Sequence, residues 1–238
     1  MICALCLEEK ELANSHVIPE FLYSALYDEM HRFKVLSIDE NSPNKLEQKG
    51  LREKLLCSGC ENRIGVYERY VSLLIHGEIE LDFETAGDLD IITNVNYKLI
   101  RLFQLSILWR AGASSLPFFS TVSLGPHQER LRKLIFAADV GLPWQYGCLM
   151  CSILHSNELQ KHVIVQPTWT KVGGVFGYRF VCGGFAWIFC VASHQTYTKL
   201  ETVSLDPKGK LHIFRTQLSD AKFIMDTMGK LRLQGKLQ

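Results

Sequence analysis

The chain has 238 residues, of which 47% are hydrophobic and 21% charged, the composition of an ordinary globular protein. This length allows one large domain or two small ones, and the composition excludes disordered, collagen-like and repeat proteins. The formal net charge is +1, so the chain as a whole has no basic field that would indicate nucleic acid. Binding of nucleic acid would have to depend on a local patch.

The first residues predict the compartment. A cysteine pair begins at Cys3, which leaves no room for the charged and then apolar leader of a secreted protein. The apolar windows 99–113 and 180–192 are too short, or too interrupted by polar residues, for a membrane span of about 20 residues. We therefore expect a cytoplasmic protein with no membrane partner. In a reducing compartment, the eight cysteines favour metal ligands or buried thiols over disulfides.

The N-terminal segment has short local patterns. In chain order, we expect a tight turn at residues 3–6, a hairpin over residues 7–18 and a helix from Pro19 with Phe21 and Leu22 on its apolar face. Residues 37–50 are polar and rich in turn formers, which predicts a loop. A second tight turn at residues 57–60 leads into a predicted helix over residues 61–76.

The rest of the chain changes from helical to strand-like patterns. Apolar stripes predict helices over residues 97–111 and 126–138. Residues 160–216 are rich in β-branched and aromatic side chains punctuated by glycine pairs, which predicts strands. A last helix is expected over residues 220–233, with Ser219 as its N-cap.

Two cysteine pairs with the same spacing form the strongest pattern in the sequence. Cys3 and Cys6 are separated by two residues, as are Cys57 and Cys60, and two such turns supply the tetrahedral thiolate set that structural Zn²⁺ prefers. The alternative is two accidental pairs, one of them a redox dithiol. Redox chemistry is typical of a thioredoxin-like βαβ context, and no strand precedes Cys3.

A third pair, Cys148 and Cys151, has apolar flanks, and Cys182 and Cys190 lie in strand-like hydrophobic runs. We interpret all four as buried thiols that pack as small hydrophobic groups, with a second metal site as the alternative.

A histidine motif lies between the first two cysteine pairs. Residues 15–19 read Ser-His-Val-Ile-Pro, and residues 55–61 read Leu-Leu-Cys-Ser-Gly-Cys-Glu. Together with the first cysteine pair, these segments resemble the HNH (His-Me finger, ββα-metal) endonuclease family, in a bacterial variant with Ser-His-x-Ile-Pro and Cys-x-x-Cys-Glu. The resemblance covers residues 1–70, under a third of the chain.

The resemblance implies an endonuclease in bacterial defence that hydrolyses phosphodiester bonds of DNA, with RNA as the alternative substrate. His16 would be the general base that takes a proton from the attacking water. Glu61, and Glu68 two turns further along the helix, would hold a catalytic Mg²⁺ or Mn²⁺. Asn44 would stand for the asparagine that orients the base in the family.

Several positions depart from the family pattern and leave an alternative open. Ser15 stands where the family has an acidic residue or a second histidine, and Glu61 where it has a histidine. The family's asparagine has two possible matches, Asn41 and Asn44, and both come earlier in the loop than the family position. Under the alternative, His16 is a core histidine, Glu61 suits the helix dipole and Glu68 is a solvated glutamate. The chain would then be a non-catalytic, zinc-stapled subunit that binds nucleic acid or protein.

Basic side chains bracket the proposed site and predict phosphate contacts: Lys49, Arg52, Lys54 and Arg63. Glutamates are interleaved with them, so a plain solvated surface explains the pattern equally well. In all, we predict an α+β protein with a zinc-stapled ββα-metal module over residues 1–76. Residues 77–238 would add helices and a mostly antiparallel sheet, an extension that binds a protein partner, positions substrate or restrains the module.

Overall fold

The structure is a computed structural model of the chain, and it describes residues 1–36, 44–48, 50–192 and 203–237. The described residues form four α-helices: α1 (Ser58–Ile75), α2 (Tyr97–Ala113), α3 (His127–Ala137) and α4 (Lys222–Leu233). They also form thirteen strands: β1 (Leu12–His16), β2 (Arg32–Val35), β3 (Lys45–Gln48), β4 (Arg52–Cys57), β5 (Phe83–Ala86), β6 (Leu89–Ile92), β7 (Cys148–His155), β8 (Glu158–Leu159), β9 (Val165–Val172), β10 (Val175–Cys182), β11 (Phe185–Cys190), β12 (Leu205–Asp206) and β13 (Lys210–Gln217).

The N-terminal part is built around an antiparallel pair of strands, β1 and β4, and α1 follows β4 directly. Leu12 pairs with Cys57 at one end of this ladder and His16 with Arg52 at the other. The predicted hairpin over residues 7–18 is wrong, because β1 pairs with a strand from beyond the next loop. Buried Leu55 and Leu56 of β4 supply the apolar surface that a local hairpin lacks.

The helix predicted from Pro19 is also wrong. Two short 3-10 turns, Glu20–Leu22 and Ser24–Leu26, take its place. Tyr23, between them, has a φ of −140°, outside the helical range. This conformation allows the adjacent side chains of Leu22 and Tyr23 both to be buried in the core, which a continuous amphipathic helix would not.

Part of the predicted loop over residues 37–50 is a strand. Residues 45–48 form β3, which pairs antiparallel with β2 as a separate two-stranded sheet. Residues 37–43 and 49 of the predicted loop lie outside the described residues.

A nine-stranded sheet dominates the rest of the chain, in the order β5-β6-β13-β7-β11-β10-β9, with β8 beside β7 and β12 beside β13. All neighbours are antiparallel except β13 and β7, which are parallel. The predicted combination of helices with a mostly antiparallel sheet is confirmed. The sheet begins earlier than predicted, because β5, β6 and β7 precede residue 160.

Helix α4 begins later than predicted. Its first residue is Lys222 and its N-cap is Ala221, so Ser219 is not the cap. The Ser219 hydroxyl instead contacts Asp220 within a 3-10 turn over Leu218–Asp220.

Helix α2 is the central element of the core, with buried residues on every side. Its Phe103 ring lies 6.0 Å from Phe21 of the N-terminal part and 5.8 Å from Trp187 of the sheet. One continuous cluster of buried side chains therefore runs from the first cysteine turn to the sheet. The domain boundary near residue 76 stays a prediction. None of the described helices combines the length and apolar character needed to cross a membrane.

Candidate functional site

Four cysteine sulfurs meet where the first turn lies against the start of α1. The Sγ atoms of Cys3, Cys6, Cys57 and Cys60 all lie within 4.8 Å of one another. Those of Cys6 and Cys57 are 4.0 Å apart, close to the roughly 3.8 Å expected between two thiolates on a tetrahedral zinc with Zn–S of about 2.3 Å. The donor set fits a structural zinc. Among the described residues, no other group of three or more His, Cys, Asp or Glu ligand atoms is this close.

The backbone around the cluster favours a thiolate at Cys3. Burial by itself raises the pKa of this thiol, but backbone N–H groups, including those of Cys6 and Cys57, outweigh it and lower the pKa to about 7. The Cys57 N–H lies 3.3 Å from the Cys3 sulfur. Burial and the neighbouring sulfurs raise the pKa of Cys60. A bound zinc would neutralise thiolates that burial otherwise disfavours.

The other four cysteines lie on strands of the large sheet and do not form a second cluster of this kind among the described residues. Cys148, Cys182 and Cys190 are buried, and Cys151 is half-buried. Burial raises the pKa of Cys182 to about 12 and that of Cys190 to about 11. These values suit neutral thiols that pack in the core.

His16 ends strand β1, and its side chain is 25% exposed. Its Nε2 atom is buried and has no hydrogen-bond partner among the described residues; Glu20 Oε2 lies 3.9 Å away. Burial lowers the pKa of His16, and the charge of Arg52 on β4 lowers it further. Glu20 and Glu68 oppose these effects without reversing them. The imidazole is therefore neutral near pH 7, the state that a general base requires.

Arg110 of α2 connects His16 to helix α1. The Arg110 side chain is 1% exposed, and its Nη1 lies 2.7 Å from Glu68 Oε1. The same Nη1 donates a hydrogen bond of 2.7 Å to the backbone oxygen of His16, and Ser106 accepts the remaining contacts of the guanidinium. Arg110 was not among the site residues predicted from the sequence. The available signal was an arginine on a helix predicted to be buried, because such a charge requires partners.

Glu61 lies in the first turn of α1 beside Ser15. Its Oε1 is buried and has no hydrogen-bond partner among the described residues. Burial raises the pKa of Glu61, and the Ser15 hydroxyl and the charge of Arg110 partly offset this effect. Ser15 also has a structural role, because its Oγ accepts a hydrogen bond of 3.0 Å from the Leu56 N–H.

These residues do not form a ready site for a hard divalent ion. The ligand atoms of His16, Glu61 and Glu68 do not form a group as close as the four sulfurs, which all lie within 4.8 Å of one another. Glu68 is already paired with Arg110, whereas Mg²⁺ and Mn²⁺ require several oxygen ligands around one point. A catalytic ion at Glu61 and Glu68 stays a prediction without support from this geometry.

The remaining predicted site residues are dispersed. Asn44 directly precedes β3, which pairs with β2 and not with the strands that carry His16. Lys49 lies outside the described residues. Arg52 lies opposite His16, whereas the Lys54 ammonium donates to the Leu12 carbonyl at 2.8 Å.

Arg63 contacts helix α3 rather than the His16 site. Its guanidinium lies over the Phe136 ring, 5.0 Å from the centroid, and also donates to the Phe136 carbonyl. Of the four basic residues predicted to bind phosphate, the structure therefore places Arg52 beside His16.

Comparisons with protein-family models, with curated proteins and with solved structures found no match to this chain. The resemblance of residues 1–70 to the HNH family therefore rests on the motifs themselves. Any function has to be argued from the chemistry of the site.

Proposed function

We propose that the chain is an HNH-type endonuclease that hydrolyses phosphodiester bonds of DNA, with RNA as the alternative substrate, and that His16 is the general base. The state of His16 is the observation that carries the proposal. Its imidazole is partly exposed, and burial and the charge of Arg52 lower its pKa, so the ring is neutral near pH 7. Such a group is ready to accept a proton from water.

The surroundings of His16 support the same function. The β1–β4 ladder and the start of α1 would be held by zinc, so the histidine would sit on a fixed support. Arg52, which pairs with His16 across the ladder, would contact a phosphate and make binding depend on salt. We assign no step to Mg²⁺ or Mn²⁺, because Glu68 is paired with Arg110.

All eight cysteines are free of disulfides, which fits a reducing compartment such as the cytoplasm. We propose a cytoplasmic location on this ground, and a role in bacterial defence on the basis of the resemblance alone.

Nicking of supercoiled plasmid by zinc-loaded protein tests the proposal. Reactions with Mg²⁺, with Mn²⁺ and with EDTA would compare the natural chain with His16→Ala. We expect the variant to lose roughly 100-fold or more of the nicking rate, the usual contribution of a general base. His155→Ala, which removes an exposed histidine of β7, is the matched control and should keep the activity.

Zinc content and circular dichroism of His16→Ala would verify that the variant is folded. Equal nicking by folded His16→Ala and the natural chain would contradict the proposal, since the activity would then come from another residue or a contaminant.

A second candidate function is a non-catalytic, zinc-stapled subunit that binds protein. The edge strand β9 favours it, because Trp169 is 67% exposed there and Phe176 on the neighbouring strand is 42% exposed. Large aromatic side chains are enriched at protein interfaces. Absence of nicking by the natural chain under every ion condition would favour this function over hydrolysis.

A further inference from the structure

A carboxylate with no role in the sequence analysis faces the candidate base. Glu20 follows His16 by four residues, across Pro19, in the first 3-10 turn. Its Oε2 lies 3.9 Å from His16 Nε2, and its Oε1 accepts a hydrogen bond of 2.9 Å from the Tyr27 hydroxyl. One carboxylate therefore faces both an imidazole nitrogen and a phenol.

Tyr27 is held in place by other rings. It stacks on His31 at 4.5 Å between centroids and meets Phe33 and Tyr23 edge-on at 5.9 Å each. Phe33 and Tyr23 are themselves buried. Burial and the contact with Glu20 raise the pKa of Tyr27 to about 12, so its hydroxyl stays protonated and donates. The ring cluster thereby fixes the orientation of Glu20.

We propose that Glu20, held by Tyr27, is the positioning residue of His16: its carboxylate accepts a hydrogen bond from Nε2–H, which leaves Nδ1 as the nitrogen that accepts the proton. Nε2 is buried and faces Glu20, so the exposed part of the ring belongs to other atoms. The separation of 3.9 Å is longer than a hydrogen bond, and contacts of catalytic groups often shorten only when substrate binds. This inference rests on the proposed hydrolysis.

Charged groups approach His16 from four elements: Arg52 on β4, Glu20 in the 3-10 turn, Glu68 on α1 and Arg110 on α2. Tyr23 is the neighbouring titratable ring, at 6.4 Å. Because Glu68 is paired with Arg110, Glu20 is the carboxylate left to compensate an imidazolium. When water gives its proton to Nδ1, Nε2 keeps its hydrogen and Glu20 balances the new positive charge.

Long-range ¹H–¹⁵N spectra of the full-length, zinc-loaded protein test this arrangement without relying on activity. We expect His16 to be the Nε2–H tautomer in the natural chain. Glu20→Leu removes the acceptor and should shift His16 towards a mixture of tautomers. Glu20→Gln removes the negative charge and should lower the pKa of His16, and Tyr27→Phe should lower it less. Arg52→Gln is the control of opposite sign and should raise it.

The nicking assay gives the companion result. Glu20→Gln should lose about tenfold of the rate, less than the loss in His16→Ala. The low-pH limb of its pH profile should move to lower pH with the pKa of His16.

The two proposals fail separately. An unchanged tautomer in Glu20→Leu, together with an unchanged pKa of His16 in Glu20→Gln, would overturn the positioning role, even if nicking still required His16. Absence of nicking by the natural chain, with the expected spectra, would overturn the hydrolysis and leave the contact between Glu20 and His16 established.

Discussion

The segment from the first turn to α1 and the nine-stranded sheet are held together by different forces. Both share one apolar core, but the first segment also has four clustered sulfurs and one buried guanidinium, Arg110, which connect elements far apart in the chain. The sheet depends on ladders and on buried aromatic side chains such as Trp187 and Phe189. Because these polar interactions are few, the loss of one of them should strongly reduce the stability of the segment that carries His16. In the sheet, the largest losses should follow changes to buried aromatic side chains, and none of them should affect the zinc.

Cys57→Ser should have the largest effect. Zinc bound by four thiolates contributes about 10–16 kcal/mol, as much as the whole stability of an ordinary domain. We expect the variant to lose about one zinc ion per chain and its β1, β4 and α1 amides to exchange quickly, while β10 and β11 stay protected. Metal analysis and hydrogen exchange measure both. Cys151→Ser changes a cysteine of the large sheet and should keep the zinc. If the amides of β10 and β11 in Cys57→Ser exchange as quickly as those of β1, β4 and α1, the two regions do not differ in the way described.

Trp187→Ala tests the sheet. Its indole is 1% exposed and donates to the Cys182 carbonyl, so truncation should cost about 3–5 kcal/mol of the free energy of unfolding, measured in urea. Zinc content should not change. Trp169→Ala, which removes an exposed indole from the same sheet, is the matched control and should have little effect. Similar losses in the two variants would show that core packing is not what stabilises the sheet.

Arg110→Met tests the polar connection in the first segment. The variant leaves the His16 carbonyl and the partly exposed Glu68 without their cation, so we expect a loss of about 2–3 kcal/mol in urea. Glu68→Gln, which keeps an acceptor for the guanidinium, should cost less. A loss in Glu68→Gln as large as that in Arg110→Met would mean that the ion pair, not the carbonyl contact, carries the effect.

His16→Gln should give the smallest change, visible in the pH dependence of stability. Burial lowers the pKa of folded His16 below the value of 6.5 for the free side chain, so the folded state binds fewer protons than the unfolded state. The contribution of neutral His16 is complete above about pH 6.5 and is lost as the pH falls through the lowered pKa.

Urea titrations of the natural chain and His16→Gln, each zinc-loaded, at several pH values between about 7.5 and 5 measure the difference in slope. His155→Gln controls for the loss of a histidine. If the free energy of unfolding changes with pH by the same amount in the natural chain and in His16→Gln, the buried environment described for this imidazole is contradicted.

Local patterns in the sequence were sufficient for the first cysteine turn and for α2 and α3, and they placed α1 correctly except that it begins at Ser58, within the predicted second turn. Two residues between cysteines already determine a metal-binding turn, and apolar periodicity marks a helix. The partner of β1 was not predictable in this way, because the apolar residues that β1 needs, such as Leu55, come from beyond a polar loop. The helix from Pro19 failed because tertiary burial of Tyr23 outweighed a local apolar stripe.

The candidate site was predictable only in part, because local motifs identify single residues but not the contacts between distant elements. The sequence motifs identified His16 and Glu61 as candidate site residues, but the function inferred from them stays a prediction. Arg110 could be expected to be buried, yet its partners, the His16 carbonyl and Glu68, lie on two other elements. Glu20 is near His16 in the chain, but its orientation depends on Tyr27 and the rings around it.

The place of β13 in the sheet has a consequence for synthesis. This strand follows every other described strand in the chain, yet it lies in the middle of the sheet, between β6 and β7. On the ribosome, β6 and β7 therefore each wait with an open hydrogen-bonding edge until β13 has emerged. We expect nascent chains that stall before Lys210 to aggregate through these edges and to depend on chaperones.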